Sequence, residues 1–145
     1  MAFPSSNWFR KLIEDALENT AAIDLNADTM KCALFTDSIT GTFNFDTNTA
    51  YNVSPWNANE VSGTGYTAGG ATLATPGVAI SSGVLAFDAA DASWTTSTIT
   101  ARGGLVYDDT TADAALAAVN FGADFSSTAG TFTVQWHASG IFTIS

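Results

Sequence analysis

The chain has 145 residues, 46% hydrophobic and 12% aromatic, which suits a single domain with a sizeable core rather than a disordered tail. Acids outnumber bases 14 to 4, for a net charge of −10, so neither nucleic acid nor an anionic membrane is an expected partner. The single cysteine excludes an internal disulfide and a thiolate metal cluster.

Only 12% of residues are charged, and 34 Ser and Thr, 21 of them Thr, supply the polar surface instead. No apolar run approaches the roughly 18–20 residues of a membrane span. The start, Met-Ala-Phe-Pro-Ser-Ser-Asn-Trp, lacks the basic residues and apolar run of a secretory signal, so the chain is expected to be made and folded in a cytoplasm.

In chain order, the spacing first predicts a helix over residues 4–19, with Ser5, Ser6 or Asn7 as its cap. Trp8, Phe9, Leu12, Ile13, Ala16 and Leu17 recur at intervals of three and four and form its apolar face. That face either lies on the chain's own sheet or meets a partner. Three of the four bases, Arg10, Lys11 and Lys31, lie near this end.

Residues 29–36 read as a strand, with Met30, Cys32 and Leu34 on one face and Lys31, Ala33 and Phe35 on the other. Cys32 reads as an inert buried thiol, because no nearby base would activate it. Residues 37–58 form a long loop without a period but rich in aromatics: Phe43, Phe45, Tyr51 and Trp56. A loop of this length is functional or pinned by other elements, so these rings either close the core edge or make a contact surface. Residues 59–75 are glycine-rich, and Gly63, Gly65, Gly69 and Gly70 supply unusual backbone angles. Gly63-Thr-Gly65 lacks the lysine and the strand–turn–helix setting of a phosphate-binding loop.

From residue 78 short strands follow one another. Val78–Ile80 and Val84–Phe87 flank Ser81-Ser82-Gly83 with hairpin spacing. Thr98–Tyr107 is the longest candidate, with Ile99, Ala101, Leu105 and Tyr107 alternating against Thr98, Thr100, Arg102 and Val106. The Ala-rich stretch 111–118 reads as a helical turn or a loop. Ala118–Phe125, Thr131–His137 and Ile141–Ile144 complete the pattern. The expected fold is mainly β: an antiparallel β-sandwich or jelly-roll-like body over 29–145, preceded by a helix and linker arm over 1–28.

Catalytic groups are sparse, and the chain does not read as an enzyme. His137 is the only imidazole and reads as a loop-anchoring residue. Asp88 with Asp91, and Asp108, Asp109 and Asp113, read as solvated turn acids, although three carboxylates in one loop are also a possible Ca²⁺ site. No cofactor is expected. Arg102, the one base in the last hundred residues, is expected to pair with an acid, across a subunit boundary.

Several segments carry a resemblance. They are the run Asn59 to Gly70, the stretch Asp88 to Trp94 followed by Thr98 to Asp109, and the ending Gly130 to Trp136 with Gly140-Ile141-Phe142. Together with Lys31 to Thr36 they cover most of residues 29–144. They resemble small virion proteins of tailed bacteriophages, of the capsid decoration or cement type. The resemblance implies a structural protein on the capsid exterior that binds the major capsid protein and itself, often as a trimer. Contact anchors are then expected at Trp8, Phe9, Leu12, Phe43, Phe45, Tyr51, Trp56 and Tyr66, with Arg102 as the intersubunit ion pair. Other readings are a phage tail or fibre component that meets a host receptor, or a carbohydrate-binding β module stacking sugars on Trp56, Trp94 and Trp136.

Overall fold

The computed structural model describes residues 3–47 and 50–145. The fold is mainly β, with antiparallel sheets and one short helix. Strands β1 (Asn7–Trp8), β2 (Met30–Phe35), β3 (Ala71–Thr72), β6 (Ala92–Asp108) and β7 (Ala114–Val134) form one sheet in the order β1-β7-β6-β2-β3. Strands β4 (Gly77–Ser81), β5 (Val84–Asp88) and β8 (Phe142–Ile144) form a second, in the order β4-β5-β8.

Both faces of the larger sheet are buried where β2 runs. Met30, Cys32 and Leu34 enter one apolar cluster, and Ala33 and Phe35 enter a second on the opposite side. The expected face assignment of this strand therefore holds. Burial pushes the Cys32 thiol up to about 12, so it stays a thiol. The smaller sheet closes the first cluster with Phe87 and Phe142, whose rings sit 5.4 Å apart.

The helix is shorter than its spacing predicts. Helix α1 spans Arg10–Leu17 and begins at Phe9, with no side-chain cap. The reason is long-range pairing: Asn7 and Trp8 are extended and pair with Ala118 and Ala117 of β7. The Phe9 N–H then donates to Leu116 O at 2.8 Å, and Ser6 Oγ accepts from Asn120 N–H. A backbone already bonded as a strand cannot also open the helix, so Ser5, Ser6 and Asn7 are not caps. On the apolar face Leu12 is buried and Ile13 packs on the core, but Leu17 is 82% exposed.

Two further expectations change. The alanine-rich stretch from Ala114 is the start of β7, not a helical turn. Ala115 and Ala118 fit under the second cluster and Ala117 under the first, so close sheet packing overrides alanine's helix propensity. The strand expected over 118–125 and the first half of that over 131–137 are parts of the single 21-residue β7, which ends at Val134; Gln135, Trp136 and His137 lie outside any strand. In β6, simple alternation fails between Ala101 and Gly103, where the register with β7 jumps from Phe125 to Asn120. This bulge sends Ile99 and Ala101 to the first cluster but Leu105 and Tyr107 to the second.

The expected β4–β5 hairpin forms, with Ser81 in β4 rather than in the connection. Ser82 (φ 51°) and Gly83 (φ 80°) form a two-residue loop of the primed type. Gly70 is more constrained: at φ 80° an added Cβ would lie 1.8 Å from the Cys32 carbonyl oxygen. We expect Gly70→Ala to lower the unfolding free energy by about 3 kcal/mol or more. Gly83→Ala, which meets no atom, should cost only about 1–2 kcal/mol from backbone strain. Urea denaturation of both variants checks the difference.

Candidate interaction surfaces

The expected anchors come together, but inward. Trp56 is 2% exposed and is ringed by Phe35 (5.3 Å between centroids), Phe43 (5.5 Å), Phe3 (5.7 Å) and Phe9 (6.1 Å). Phe9 in turn packs on Phe45 at 4.9 Å. Phe9, Leu12 and Trp56 are thus core residues and not exposed anchors. Phe43, Phe45 and Tyr51 are half-buried against the same cluster. The physical reason is that β2 and β6 present a second apolar face, with Ala33, Phe35, Leu105 and Tyr107, that needs a cover. The rings of the 37–58 loop supply the apolar layer that covers this face. Trp8 stays half-buried, stacked on Phe142 beside an open cleft of about 460 Å³ that Trp136 and His137 also line. His137 anchors its turn, its Nδ1 accepting the Ser139 N–H at 3.1 Å.

Tyr66 belongs to a polar hub that sequence reading missed. The Glu60 carboxylate accepts the Tyr51 hydroxyl at 2.6 Å, the Tyr66 hydroxyl at 2.7 Å and the Gly69 N–H at 2.7 Å. The Tyr66 oxygen itself accepts the Leu34 N–H at 2.8 Å, and the Tyr107 hydroxyl donates to Gly69 O. Burial first, and the hydrogen bond to Glu60 second, raise the Tyr51 and Tyr66 hydroxyls well above the ordinary tyrosine value. Both therefore remain donors. One signal was present in the sequence: Glu60 is the only charged residue between Asp46 and Asp88.

Each basic side chain has an acid partner within the chain. Arg10 pairs with Asp46, Lys11 with Glu14 (2.9 Å) and Asp15 (2.8 Å), and Lys31 with Asp109 (2.9 Å). Arg102 pairs with Asp124 (2.8 Å) and Asp37 (3.5 Å), so its expected intersubunit partner is supplied from within. The bulge that separates Ala101 from Gly103 carries Asp124 on its β7 side, next to this arginine. The N-terminal basic end is consequently not a free positive patch.

The acid clusters are dispersed. Asp109 is held by Lys31, Asp113 accepts from Asn52, and Asp108 is fully buried. Among the described residues no group of three or more His, Cys, Asp or Glu is placed to hold a metal ion. Two of the three tryptophans considered for sugar stacking, Trp56 and Trp94, are buried and present no face to solvent.

Besides Leu17 on the helix and Val53 (48%) in the 37–58 loop, exposed apolar side chains stand on two strands. Ile80 (75%) and Val78 (37%) stand on β4, an edge of the smaller sheet, inside the uncharged stretch from Val61 to Phe87. Phe125 (54%) stands on β7 and flanks an open groove of about 430 Å³ with Phe121 and Phe132. Within the larger sheet, β1 pairs only with Ala117 and Ala118, so β7 beyond them has β6 as its one strand partner. No helix among the described residues is long and apolar enough to cross a membrane. No family model, curated protein or solved structure matches the chain.

The hub gives a direct test of what holds these surfaces in place. Glu60→Ala strands two tyrosine hydroxyls and the Gly69 N–H. We expect a loss of about 2–4 kcal/mol in urea denaturation, with Glu60→Gln costing less because one carbonyl oxygen remains to accept.

Proposed function

We propose that the chain is a structural virion protein of a tailed bacteriophage, of the cement or decoration type. It binds the outside of the capsid and other copies of itself. The resemblance of residues 29–144 to such proteins gives the class, and one structural observation supports a contact role. Ile80 is 75% exposed on an edge strand, within a stretch that has no charge from Val61 to Phe87. On a chain of net charge −10 such a surface fits an apolar partner that would otherwise meet repulsion. The packing of the smaller sheet on one face of the larger supports reading the body as a β-sandwich.

The expected anchors shift accordingly. Ile80, Val78 and Phe125 replace the buried Phe9, Leu12 and Trp56 as contact residues. Attachment driven by a basic N-terminal end would weaken with salt, but the bases are already paired. We therefore expect attachment to purified heads to survive a rise from about 0.05 M to about 0.5 M salt. Ile80→Lys and Phe125→Lys should each fold normally and lose attachment about tenfold or more. Cosedimentation with heads reads both effects. Attachment that is unchanged in both variants, or that is found only on tails, would overturn the proposal.

A further inference from the structure

Asp108 ends β6 at the centre of the larger sheet, paired with Met30 on one side and Ala114 on the other. It is 0% exposed. Its Oδ1 accepts the Thr110 N–H at 2.9 Å and the Thr111 N–H at 3.0 Å, while its buried Oδ2 has no hydrogen-bond partner. An orphaned buried carboxylate oxygen is costly, so the site needs a donor.

A second acid, Asp28, stands beside Asp108. The Asp28 carboxyl lies against Asp108, and Thr111 touches both: its N–H bonds Asp108 and its hydroxyl reaches Asp28 Oδ2 at 3.4 Å. Asp28 Oδ2 also accepts the Asp24 N–H at 2.8 Å. The other charged groups at this junction do not supply the donor. Lys31 is engaged by Asp109, Asp113 by Asn52, and Asp24 is exposed and uses Oδ1 on the Asn26 and Ala27 amides. Tyr107, one residue away, donates its hydroxyl to Gly69 O on the far side.

We propose that Asp28 and Asp108 share one proton, and that this proton latches the segment before β2 onto the β6–β7 turn. The shared proton gives Asp108 Oδ2 its missing partner. It is released to solvent as the pH rises, leaving two abutting carboxylates that repel. The segment is otherwise tied to the turn by few bonds: Asp109 N–H to Thr29 O, Thr29 N–H to Thr110 Oγ1, and Thr111 hydroxyl to Ala22 O. Loss of the proton therefore loosens residues 22–29 locally, while the sheet stays folded.

The direction of the pH effect follows from burial. Burial raises Asp108 from 3.8 to about 6, opposed by the two backbone N–H bonds and reinforced by Asp28. The folded chain then keeps a proton that the unfolded chain has lost. This contribution to stability is complete below pH 3.8 and disappears as the pH climbs through about 6.

The test is a carboxyl-carbon NMR titration of the aspartates with amide exchange on the same sample. We expect Asp108 to show a step near pH 6. The protection factors of Thr29 and Asp109 should fall about tenfold or more between about pH 5 and about pH 7.5. In Asp108→Asn the side-chain amide donates permanently, and that fall should vanish. Asp28→Asn, at a half-buried position, provides the same test should the first variant not fold. Asp108 titrating in the ordinary carboxylate range would overturn the proposal. So would an exchange profile in either variant that matches the wild type.

Discussion

The structure depends on one irregularity, the bulge between Ala101 and Gly103 in the long β6–β7 ribbon. On one side of it the ribbon lies inside a sheet flanked by β1 and β2, and Leu105 and Tyr107 point into the aromatic cluster around Trp56. On the other side Ile99 and Ala101 point the opposite way, into the cluster closed by Phe87 and Phe142. A continuous two-residue alternation would have sent all four side chains to one cluster and left the other without them. The extra β7 residues at the bulge carry Asp124 to Arg102, so the charge at this point is neutralised by the same feature.

The two clusters explain how the non-strand segments are used. The 37–58 loop and Phe3 and Phe9 form a lid over the Trp56 side, and the Glu60 carboxylate fastens it by taking one hydroxyl from Tyr51 and another from Tyr66. The N-terminal segment that read as an arm is packed on the body by Phe3, Phe9 and Leu12. Internal pairing of each base leaves a surface of Ser, Thr and excess acid, interrupted by apolar residues on open strand edges. Those edges, rather than a charged end, are where we propose that a partner binds.

Much of the β architecture was legible because its determinants are local. The β4–β5 hairpin follows from Ser82-Gly83, and β2 from an apolar run with one face for Met30, Cys32 and Leu34. The helix start was not legible, because it is set by the pairing of Asn7 and Trp8 with residues more than a hundred positions later. The alanine run misled for the same reason: Ala114–Ala118 lie extended between neighbours that the sequence does not name. For the candidate contacts, aromatic content showed that the 37–58 loop is structured. With no period in the loop, nothing told inward rings from outward ones. Ile80 and Phe125 read as ordinary strand residues until the sheet edges were known.

The central claim is that this acidic, β-rich chain works by attachment to the outside of a phage head. Cryo-electron microscopy of intact virions of the phage proposed to encode it tests that claim most directly. The account predicts density for this fold on the outer shell surface, in regular array, with Ile80 or Phe125 in the contact. Density confined to the tail or fibres, or virions that lack the chain altogether, would contradict it.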